Sequence, residues 1–254
     1  MDIDHAADAL WAGIRRGEHM PPAWRGRLTM AQAYAVNLAI LRRRIAEGDA
    51  QAGWKVGLTA DAMRAQWGIP EPCFGILLAS GHRPSGTRFA FDTLIAPGIE
   101  NELCATLGES LRGPGVTPAR ARAAIATLAP ALEVVEVRGE FAADLPLAMA
   151  DNAQQKAFVT GADLRPDPAF PLASAGVEVR FGDTVRDRAS GAEVMGGPEH
   201  SIAWLANKLA EFDLALEAGM RVMSGSFTRQ YAVARGDEVI AAFSPFGEVR
   251  ARFD

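Results

Sequence analysis

Three glutamates carry the clearest chemical signal in this sequence. Glu100 and Glu102 lie two residues apart in residues 99–103, a segment whose pattern predicts an extended strand. Residues i and i+2 of a strand point to the same side, so the two carboxylates project together. Such a pair repels itself unless a proton or a cation lies between the carboxylates. An exposed strand face without function would show the same pattern.

Glu133 belongs to a second predicted strand, residues 131–138, on a face that is otherwise apolar. A lone buried carboxylate costs roughly several kcal/mol unless it is paired or bound to a metal. Its partner is either an arginine, with Arg138 as the candidate, or the cation that Glu100 and Glu102 would hold. Carboxylate ligands without His or Cys favour hard ions, so the predicted metal is Mg²⁺ or Mn²⁺. The four histidines have no metal-type spacing.

Lys55 is unusual because it lies inside a predicted strand, residues 53–58. Of the 26 Lys and Arg residues, only Lys55, Lys156 and Lys208 are lysine, so a retained lysine suggests a role that arginine cannot fill. The functional interpretation is a general acid or base, or an anchor for a carboxylate, with a pKa that burial lowers. The alternative is an edge strand whose lysine extends to solvent.

A run of small residues, Ser-Gly-Ser-Phe-Thr at 224–228, follows another predicted strand. Small side chains would let a substrate approach the backbone, whose N–H groups can hold a carboxylate. An ordinary glycine turn would leave the same pattern.

Composition and charge exclude several classes of protein. The 254 residues, 49% of them hydrophobic, suffice for one large domain or for a domain with a small extra lobe. A net charge of -5 without long runs of like charge argues against nucleic acid as the main partner. Cys73 and Cys104 lack metal-type spacing, which predicts reduced cysteines in a cytoplasmic protein. No segment approaches the length of a membrane span, and no signal peptide is recognisable.

Residue patterns predict helices before strands. Helical spacing covers residues 5–17 and 29–48, the second with a capping box of Thr29 and Gln32. Strand patterns begin at residue 53 and are interrupted by a short helix that Thr59 would cap.

Two further helices are predicted later in the chain. One begins at Thr117-Pro118 and ends by Pro130, and the other follows Pro198 and ends at Gly219. Because the strands do not alternate regularly with helices, the pattern argues against a doubly wound parallel sheet. The predicted fold class is α+β with a mixed or antiparallel sheet, divided into an N-terminal helical lobe, residues 1–52, and a β domain, residues 53–254.

Several spaced motifs together resemble one known family, the 2-keto-4-pentenoate hydratase and 4-oxalocrotonate decarboxylase branch of the fumarylacetoacetate hydrolase superfamily. The motifs occur in family order from residue 53 to the end: GWKVGLT (53–59), EPCFGILL (71–78), IENEL (99–103), PALEVVEVR (130–138), ADNA (150–153), WLANKLA (204–210), LEAGMRVMSGSFT (216–228) and GD (236–237).

The resemblance implies a fold and a set of site residues. The fold is a mixed β-sandwich roll like the fumarylacetoacetate hydrolase C-terminal domain. It implies a Mg²⁺ or Mn²⁺ ion at the three glutamates and places Lys55 in the active site. The implied substrate-binding residues are Leu58, Ser226, Thr228 and Arg229, and Arg229 would meet the distal carboxylate of a diacid.

One stretch departs from the family pattern. After the PxFG stretch, hydratases of the family carry one or two aspartates that take part in proton transfer, whereas this sequence has Ala79 and Ser80. Part of the acid and base set is therefore expected to be missing there. Ser80, His82 or Asp151 would supply proton transfer instead.

The reaction that the resemblance implies is hydration. Water adds to a 2-hydroxy-2,4-dienoate, by way of the 2-oxo-3-enoate, to give a 4-hydroxy-2-oxo acid. The alternatives are decarboxylation of a 2-oxo-3-ene-dioate, which needs no activated water, and hydrolysis of the carbon–carbon bond of an acylpyruvate. A further alternative, from another class, is a non-catalytic subunit that binds an oxo acid.

The expected partner is a small 2-oxo acid, not a nucleic acid or a membrane. Exposed β edges and the resemblance also favour a homo-oligomer, with a neighbouring enzyme of the same pathway as a further partner.

Overall fold

The computed structural model describes the backbone of all 254 residues and every side chain except those of Met63, Gln66 and Trp67. The chain begins with two helices, α1 (Ile3–Arg15) and α2 (Met30–Ala46), which pack against each other. Asp2 caps α1, and the predicted capping box of Thr29 and Gln32 is present at the start of α2.

Thirteen strands and four more helices follow. The later helices are α3 (Asp61–Trp67), α4 (Pro118–Ala124), α5 (Leu145–Ala150) and α6 (Pro198–Ala210). The strands are β1 (Gln51–Gly57), β2 (Cys73–Leu78), β3 (His82–Pro84), β4 (Thr87–Phe89), β5 (Pro97–Leu107), β6 (Ile125–Glu136), β7 (Gln155–Thr160), β8 (Gly176–Phe181), β9 (Thr184–Ser190), β10 (Arg221–Met223), β11 (Tyr231–Ala232), β12 (Glu238–Ser244) and β13 (Gly247–Phe253).

The strands form two mixed sheets. The larger sheet has the order β2-β1-β10-β5-β6-β7-β3, with β11 also paired to β5, and the smaller has the order β4-β13-β12-β8-β9. Most pairs are antiparallel, but β1 with β10, β3 with β7 and β4 with β13 are parallel. The two sheets touch where β12 and β13 contact β6, and the buried apolar side chains between them form the core. The predicted α+β class, a mixed β roll preceded by helices, is confirmed.

Three predicted element ends were wrong, each for a local reason. The helix that begins at Thr117 stops at Ala124 rather than near Pro130, because residues from Ile125 onward pair with β5. Helix α6 ends at Ala210 rather than Gly219, and Asp213 adopts a positive φ of 55° just beyond that end.

The third error concerns α3, whose N-cap is Ala60 and not Thr59. Thr59 is instead buried against Gly225.

The predicted boundary at residue 52 falls inside β1, which begins at Gln51. The division of the chain into a helical lobe and a β domain stays a prediction. None of the helices is long and apolar enough to cross a membrane, in a search of the described residues.

Candidate active site

The three glutamates meet in the middle of the larger sheet. Glu100 and Glu102 share one face of β5, and Glu133 on β6 is the direct antiparallel partner of Glu100. One carboxylate oxygen from each residue lies within 4.8 Å of the others. The alternation of β5 and its register with β6 therefore bring three negative charges together, as the spacing of the sequence predicted for the first two.

The environment of these carboxylates fits a hard cation. Glu102 and Glu133 are fully buried. Among the side chains that the structure describes, both oxygens of Glu133 and Oε1 of Glu102 accept no hydrogen bond, while Gly225 N donates to Glu102 Oε2 at 2.7 Å. Buried acceptors without a donor are costly, and a divalent cation among them would satisfy all three.

The clustering shifts the proton affinity of the carboxylates. Burial and the neighbouring charge of Glu133 raise the pKa of Glu100 to about 7, although Lys55 opposes the shift. Burial, together with Glu133 and Glu100, raises the pKa of Glu102 well above its ordinary value. Without a cation, protons are needed to relieve the repulsion, as expected for carboxylates that share a site.

Lys55 is the cation closest to this cluster. It lies on β1, which pairs with β2 on one side and β10 on the other, so the edge-strand alternative is wrong. Its buried ammonium Nζ lies 3.3 Å from Glu133 Oε1. The expected depression of its pKa is also wrong: burial lowers the pKa, but the charges of Glu133 and its neighbours outweigh burial and raise it. Arg138, the alternative partner of Glu133, pairs with Glu136 and Asp151 instead.

Cys73 is a site residue that the sequence interpretation missed. It begins β2 opposite Gly57, where a Cβ atom on Gly57 would lie 3.1 Å from Cys73 Sγ and 3.3 Å from Lys55 Nζ. The thiol and the ammonium therefore border the same small space. Burial raises the pKa of Cys73 to about 11, so the thiol holds its proton. Only the pairing of β1 with β2 could have shown this, because the two residues lie far apart in the sequence.

A large cavity, hereafter the glutamate cavity, opens beside these residues. Its volume is about 940 Å³, and Lys55, Cys73 and Glu100 contribute to its wall. The four predicted substrate-binding residues also line it: Leu58, Ser226, Thr228 and Arg229. Most of the remaining wall is apolar, contributed by Val135, Val137, Phe141, Ala142, Ala143 and Ala153. The structure thus brings together the predicted metal, lysine and substrate-binding groups, while their roles stay predictions.

The loop after β10 is held against the glutamates by close packing. Gly225 has a φ of 109°, and a Cβ atom there would lie 2.5 Å from Thr59 Cγ2, so only glycine fits. Ser226 Oγ accepts a hydrogen bond from Asn101 N at 3.3 Å, and Thr228 Oγ1 accepts one from Asn101 Nδ2. These contacts fix both hydroxyl groups at the cavity wall.

Two exposed arginines also line the glutamate cavity. The guanidinium of Arg229 lies 4.9 Å from the ring centroid of Tyr231. Arg25 reaches the cavity from the connection between α1 and α2 and forms no ion pair within the described part of the chain. The sequence interpretation missed Arg25, because nothing in the local pattern shows that this connection reaches the sheet.

Two predicted catalytic residues lie elsewhere. Ser80 is exposed and donates to Asp49 Oδ2 at 2.6 Å, and Asp151 is buried between Arg138 and His19. Both line a separate cavity that shares no lining residue with the glutamate cavity. The structure therefore does not bring them together with the glutamates, and their role in proton transfer stays a prediction.

His82, the third residue considered for proton transfer, lines neither cavity. Its ring stacks on Phe158 with the ring centroids 4.8 Å apart, and its Nε2 lies 2.8 Å from Thr160 Oγ1. Burial lowers the pKa of His82. These contacts give the side chain a packing role.

Comparisons with known proteins agree with this geometry. The profile of the family described as fumarylacetoacetate (FAA) hydrolase C-terminal matches residues 60–254. The chain is 36% identical to 4-oxalocrotonate decarboxylase of Pseudomonas sp. (strain CF600) over 227 residues, which are 89% of this chain and 86% of that one. It is 33% identical to 2-oxo-hept-4-ene-1,7-dioate hydratase of Escherichia coli over 234 residues, covering 89% and 87%.

A solved structure is also closely similar. The structure of 4-oxalocrotonate decarboxylase from Pseudomonas putida G7 complexed with magnesium and adipate has a TM-score of 0.93 and 32% sequence identity to this chain. The similarity covers 99% of this chain and 97% of that one.

Proposed function

Because the chain belongs to the fumarylacetoacetate hydrolase C-terminal family, we propose that it is a divalent-metal-dependent lyase acting on a small unsaturated 2-oxo acid. One observation carries the proposal: three clustered carboxylates, two of them fully buried, have oxygens that accept no hydrogen bond and adjoin a buried lysine on the wall of a large cavity. Relatives that the chain resembles are named as decarboxylases and hydratases, and both are lyases.

Glu100, Glu102 and Glu133 would hold the metal ion, with Mg²⁺ or Mn²⁺ as the candidates. A divalent cation supplies Lewis-acid stabilisation of the negative charge that develops on a 2-oxo acid during the reaction. The magnesium in the similar decarboxylase structure supports this assignment.

The protein's own groups would move protons and exclude water. Lys55 holds a proton at Nζ beside the glutamates, where it can donate to or accept from the carbon chain of a substrate. Ser226 and Thr228 offer hydroxyl groups at the same wall. Leu58 and the apolar side chains around it would enclose the unsaturated middle of the substrate.

Hydration is the first candidate reaction. A proton moves to C5 of a 2-hydroxy-2,4-dienoate as its 2-hydroxyl becomes a carbonyl, and water then adds at C4 to give a 4-hydroxy-2-oxo acid. Lys55 would carry the proton, and a cavity carboxylate that is not engaged by a cation would orient the water. The similarity to a dioate hydratase supports this reaction.

Decarboxylation of a 2-oxo-3-ene-dioate is the second candidate, and the lining of the cavity favours it. No Asp or His side chain is among the residues that line the glutamate cavity, in the described part of the chain, so groups that could activate water are few. The bond from C5 to the distal carboxylate breaks, CO₂ leaves, and the electron pair moves into the conjugated 2-oxo acid. An apolar wall favours neutral CO₂ over a carboxylate.

The experiment that tests the proposal uses the purified chain stripped of metal and then restored with Mg²⁺. Ultraviolet absorbance follows 2-hydroxypenta-2,4-dienoate in one sample, and CO₂ release follows 2-oxohex-3-enedioate in another. Metal-dependent loss of the dienol band with a 4-hydroxy-2-oxo acid as the product establishes hydration, and metal-dependent CO₂ release establishes decarboxylation. If neither substrate reacts while the metal binds, the lyase proposal is wrong, and binding of oxalate without turnover would indicate the non-catalytic subunit.

We further propose that the chain acts in the cytoplasm as a homo-oligomer, with a neighbouring enzyme of its pathway as a further partner. Both cysteines are free and buried, as in a reducing compartment. Strand β9 forms one edge of the smaller sheet with largely exposed residues, which can pair with another copy. Size-exclusion chromatography with light scattering tests the oligomer, since a monomeric mass would contradict it.

A further inference from the structure

A second cavity lies between the N-terminal helices and the larger sheet, on the other side of a left-handed turn from the glutamate cavity. Its volume is about 530 Å³. The turn consists of Asn152, Ala153 and Gln154, whose φ angles are 58°, 49° and 61°. Asn152 lines the second cavity, whereas Ala153 and Gln154 line the glutamate cavity. The two cavities are therefore distinct, and nothing in the proposed reaction uses the second.

The carboxylates that line the second cavity are paired with basic side chains. Arg138 Nε donates to Asp151 Oδ2 at 2.6 Å, and Arg138 Nη1 donates to Glu136 Oε2 at 3.1 Å. Lys156 also pairs with Glu136 at 3.1 Å, and His19 Nδ1 lies 3.1 Å from Asp151 Oδ1. Both carboxylates that line the cavity are thus already neutralised by partners.

Positive charge remains in excess. Five Arg and Lys side chains line the cavity against two carboxylates: Arg44, Arg83, Arg88, Arg138 and Lys156 against Glu136 and Asp151. Arg88 pairs with Asp254, which lies outside the lining, and Arg83 donates only to the backbone carbonyls of Ser80 and His82.

Arg44 is the group with the least compensation. It is partly buried, and its guanidinium lies over the ring of Trp11, whose centroid is 4.7 Å from Arg44 Cζ. Within the described residues, the guanidinium forms neither a hydrogen bond nor an ion pair. Burial lowers the pKa of Arg44, and the nearby charges of Asp49, Asp151 and Glu47 oppose this shift only in part.

Gln155 supplies an independent observation. Its side chain is only 7% exposed and lines the same cavity, yet Nε2 donates no hydrogen bond to any described group. Its Oε1 is contacted by Asn152 Nδ2 at 3.5 Å, which directs the amide NH₂ away from that partner. A buried donor without an acceptor is uncommon in folded proteins and costs stability unless a ligand accepts its hydrogen bond.

The rest of the wall is apolar and supplied by aliphatic and aromatic side chains: Ile14, Ile40, Leu41, Ile76, Leu78, Phe89 and Leu94. A ligand that complements both the cationic part and the apolar part of the wall has two components. One is a negatively charged group that accepts hydrogen bonds from planar N–H donors, and the other is a short apolar body. We propose that this second cavity is a binding site for a small organic carboxylate, whose oxygens accept hydrogen bonds from Arg44 and Gln155 while its hydrocarbon part packs against the aliphatic wall.

The experiment measures binding of hexanoate to the full-length chain with Mg²⁺ by isothermal titration calorimetry, with inorganic phosphate as the comparison probe. Wild-type protein should bind hexanoate saturably and more tightly than phosphate. Arg44→Gln and Gln155→Leu should each weaken hexanoate binding by about tenfold or more, the equivalent of one charge-assisted hydrogen bond.

Two control variants locate the probe. Arg42→Gln changes an exposed arginine on the same helix that does not line the cavity, and it should leave binding unchanged. Arg229→Gln changes the glutamate cavity and should also leave binding unchanged. Loss of hexanoate binding in Arg229→Gln with retention in Arg44→Gln would place the probe in the glutamate cavity and overturn the proposal.

Stability separates a binding role from a structural one. Because Gln155 Nε2 has no partner in the protein and Oε1 has only the long 3.5 Å contact with Asn152 Nδ2, Gln155→Leu should change the melting temperature of the ligand-free chain little, even though it weakens binding. A folded Gln155→Leu protein that binds hexanoate like the wild type contradicts the proposal. The proposal is also contradicted if the wild type does not bind hexanoate and Arg44→Gln changes the oligomeric mass. A neighbouring copy of the chain would then fill the cavity. Equal affinity for phosphate would contradict the assignment to an organic acid.

Discussion

The two cavities on either side of the turn at 152–154 differ in the kind of polar group that lacks a hydrogen-bond partner. Beside the glutamate cavity the atoms without a hydrogen-bond partner are acceptors, Glu102 Oε1 and the two oxygens of Glu133. In the second cavity they are donors, the guanidinium of Arg44 and the amide of Gln155. Buried polar groups are normally satisfied, so what is left unmatched indicates the sign of the missing ligand: a cation in one cavity and an anion in the other.

The apolar parts of the two walls differ less than their charges. Both cavities enclose hydrocarbon surface beside their polar groups, as sites for small organic molecules do. The difference in chemistry therefore comes from a few side chains, and single substitutions should act on one cavity without affecting the other.

The largest effect on metal binding and turnover is expected from Glu102→Gln. Removing one of three charged ligands should lower metal affinity and turnover by roughly 1,000-fold, since the lost charge stabilisation is on the order of several kcal/mol. Metal titration and steady-state kinetics measure the change. Glu140→Gln makes the same substitution on the wall of the same cavity outside the cluster, and it should change both quantities by less than about threefold. Full activity in Glu102→Gln would refute the metal assignment.

Lys55→Met should lower turnover by about 100-fold or more, because a positioned proton donor contributes on the order of 10²–10⁴-fold. Metal affinity should be retained or increased, since the competing ammonium beside Glu133 is gone. Kinetics and metal titration of the same preparation separate these effects. Lys156→Met, which removes a partly exposed lysine of the second cavity, should leave turnover unchanged. Equal losses in both lysine variants would indicate a general loss of structure.

Proton competition should make metal binding depend on pH. The pKa of Glu100 in the metal-free chain is about 7, above the ordinary value for Glu, so the folded chain binds the extra proton more tightly than the unfolded chain. Metal-free stability should therefore fall as pH rises from about 4.5 through 7. Metal affinity should weaken by about tenfold per unit as pH falls below 7. Thermal melts with and without Mg²⁺ from pH 5.5 to 8 measure both trends.

Glu100→Gln serves as the control for the pH series, because it removes the titrating group. Its metal-free melting temperature should vary less with pH over the same range. An unchanged slope in this variant would assign the titration to another group.

The smallest effect is expected at the exposed mouth of the glutamate cavity. Arg229→Gln should raise the KM of a diacid substrate by a few fold, because exposed ion pairs contribute about 0.2–1 kcal/mol, while kcat stays unchanged. A monoacid substrate should show no change in KM. Arg25→Gln is the matched variant on the opposite wall, and the double variant shows whether the two arginines act on the same carboxylate. An equal rise in KM for both substrates would assign Arg229 a steric role.

Errors in the prediction of the site follow a pattern. Glu100 and Glu102 were found because strand alternation is local, and Glu133 because a carboxylate on an apolar face is unusual. Ser80 and Asp151 lie away from the glutamates because they belong to the turn after β2 and to the end of α5, whose positions relative to the sheet depend on long-range packing. Cys73 and Arg25 were missed because they join the cavity only through the pairing of β1 with β2 and the path of the chain between the first helices.

The sequence by itself determined the class of the fold, the three glutamates and the lysine, since these depend on periodicity, on caps and on the cost of burying charge. It did not show α5 or β7. The tertiary structure decided which groups share a cavity. It placed Cys73 beside Lys55 and Asp151 in another cavity, and it put Gln155, whose Nε2 donates no hydrogen bond, in the same cavity wall as Arg44. The physical reason is that pairing register and the packing of the helices on the sheet depend on contacts between residues far apart in the chain, which no local pattern records.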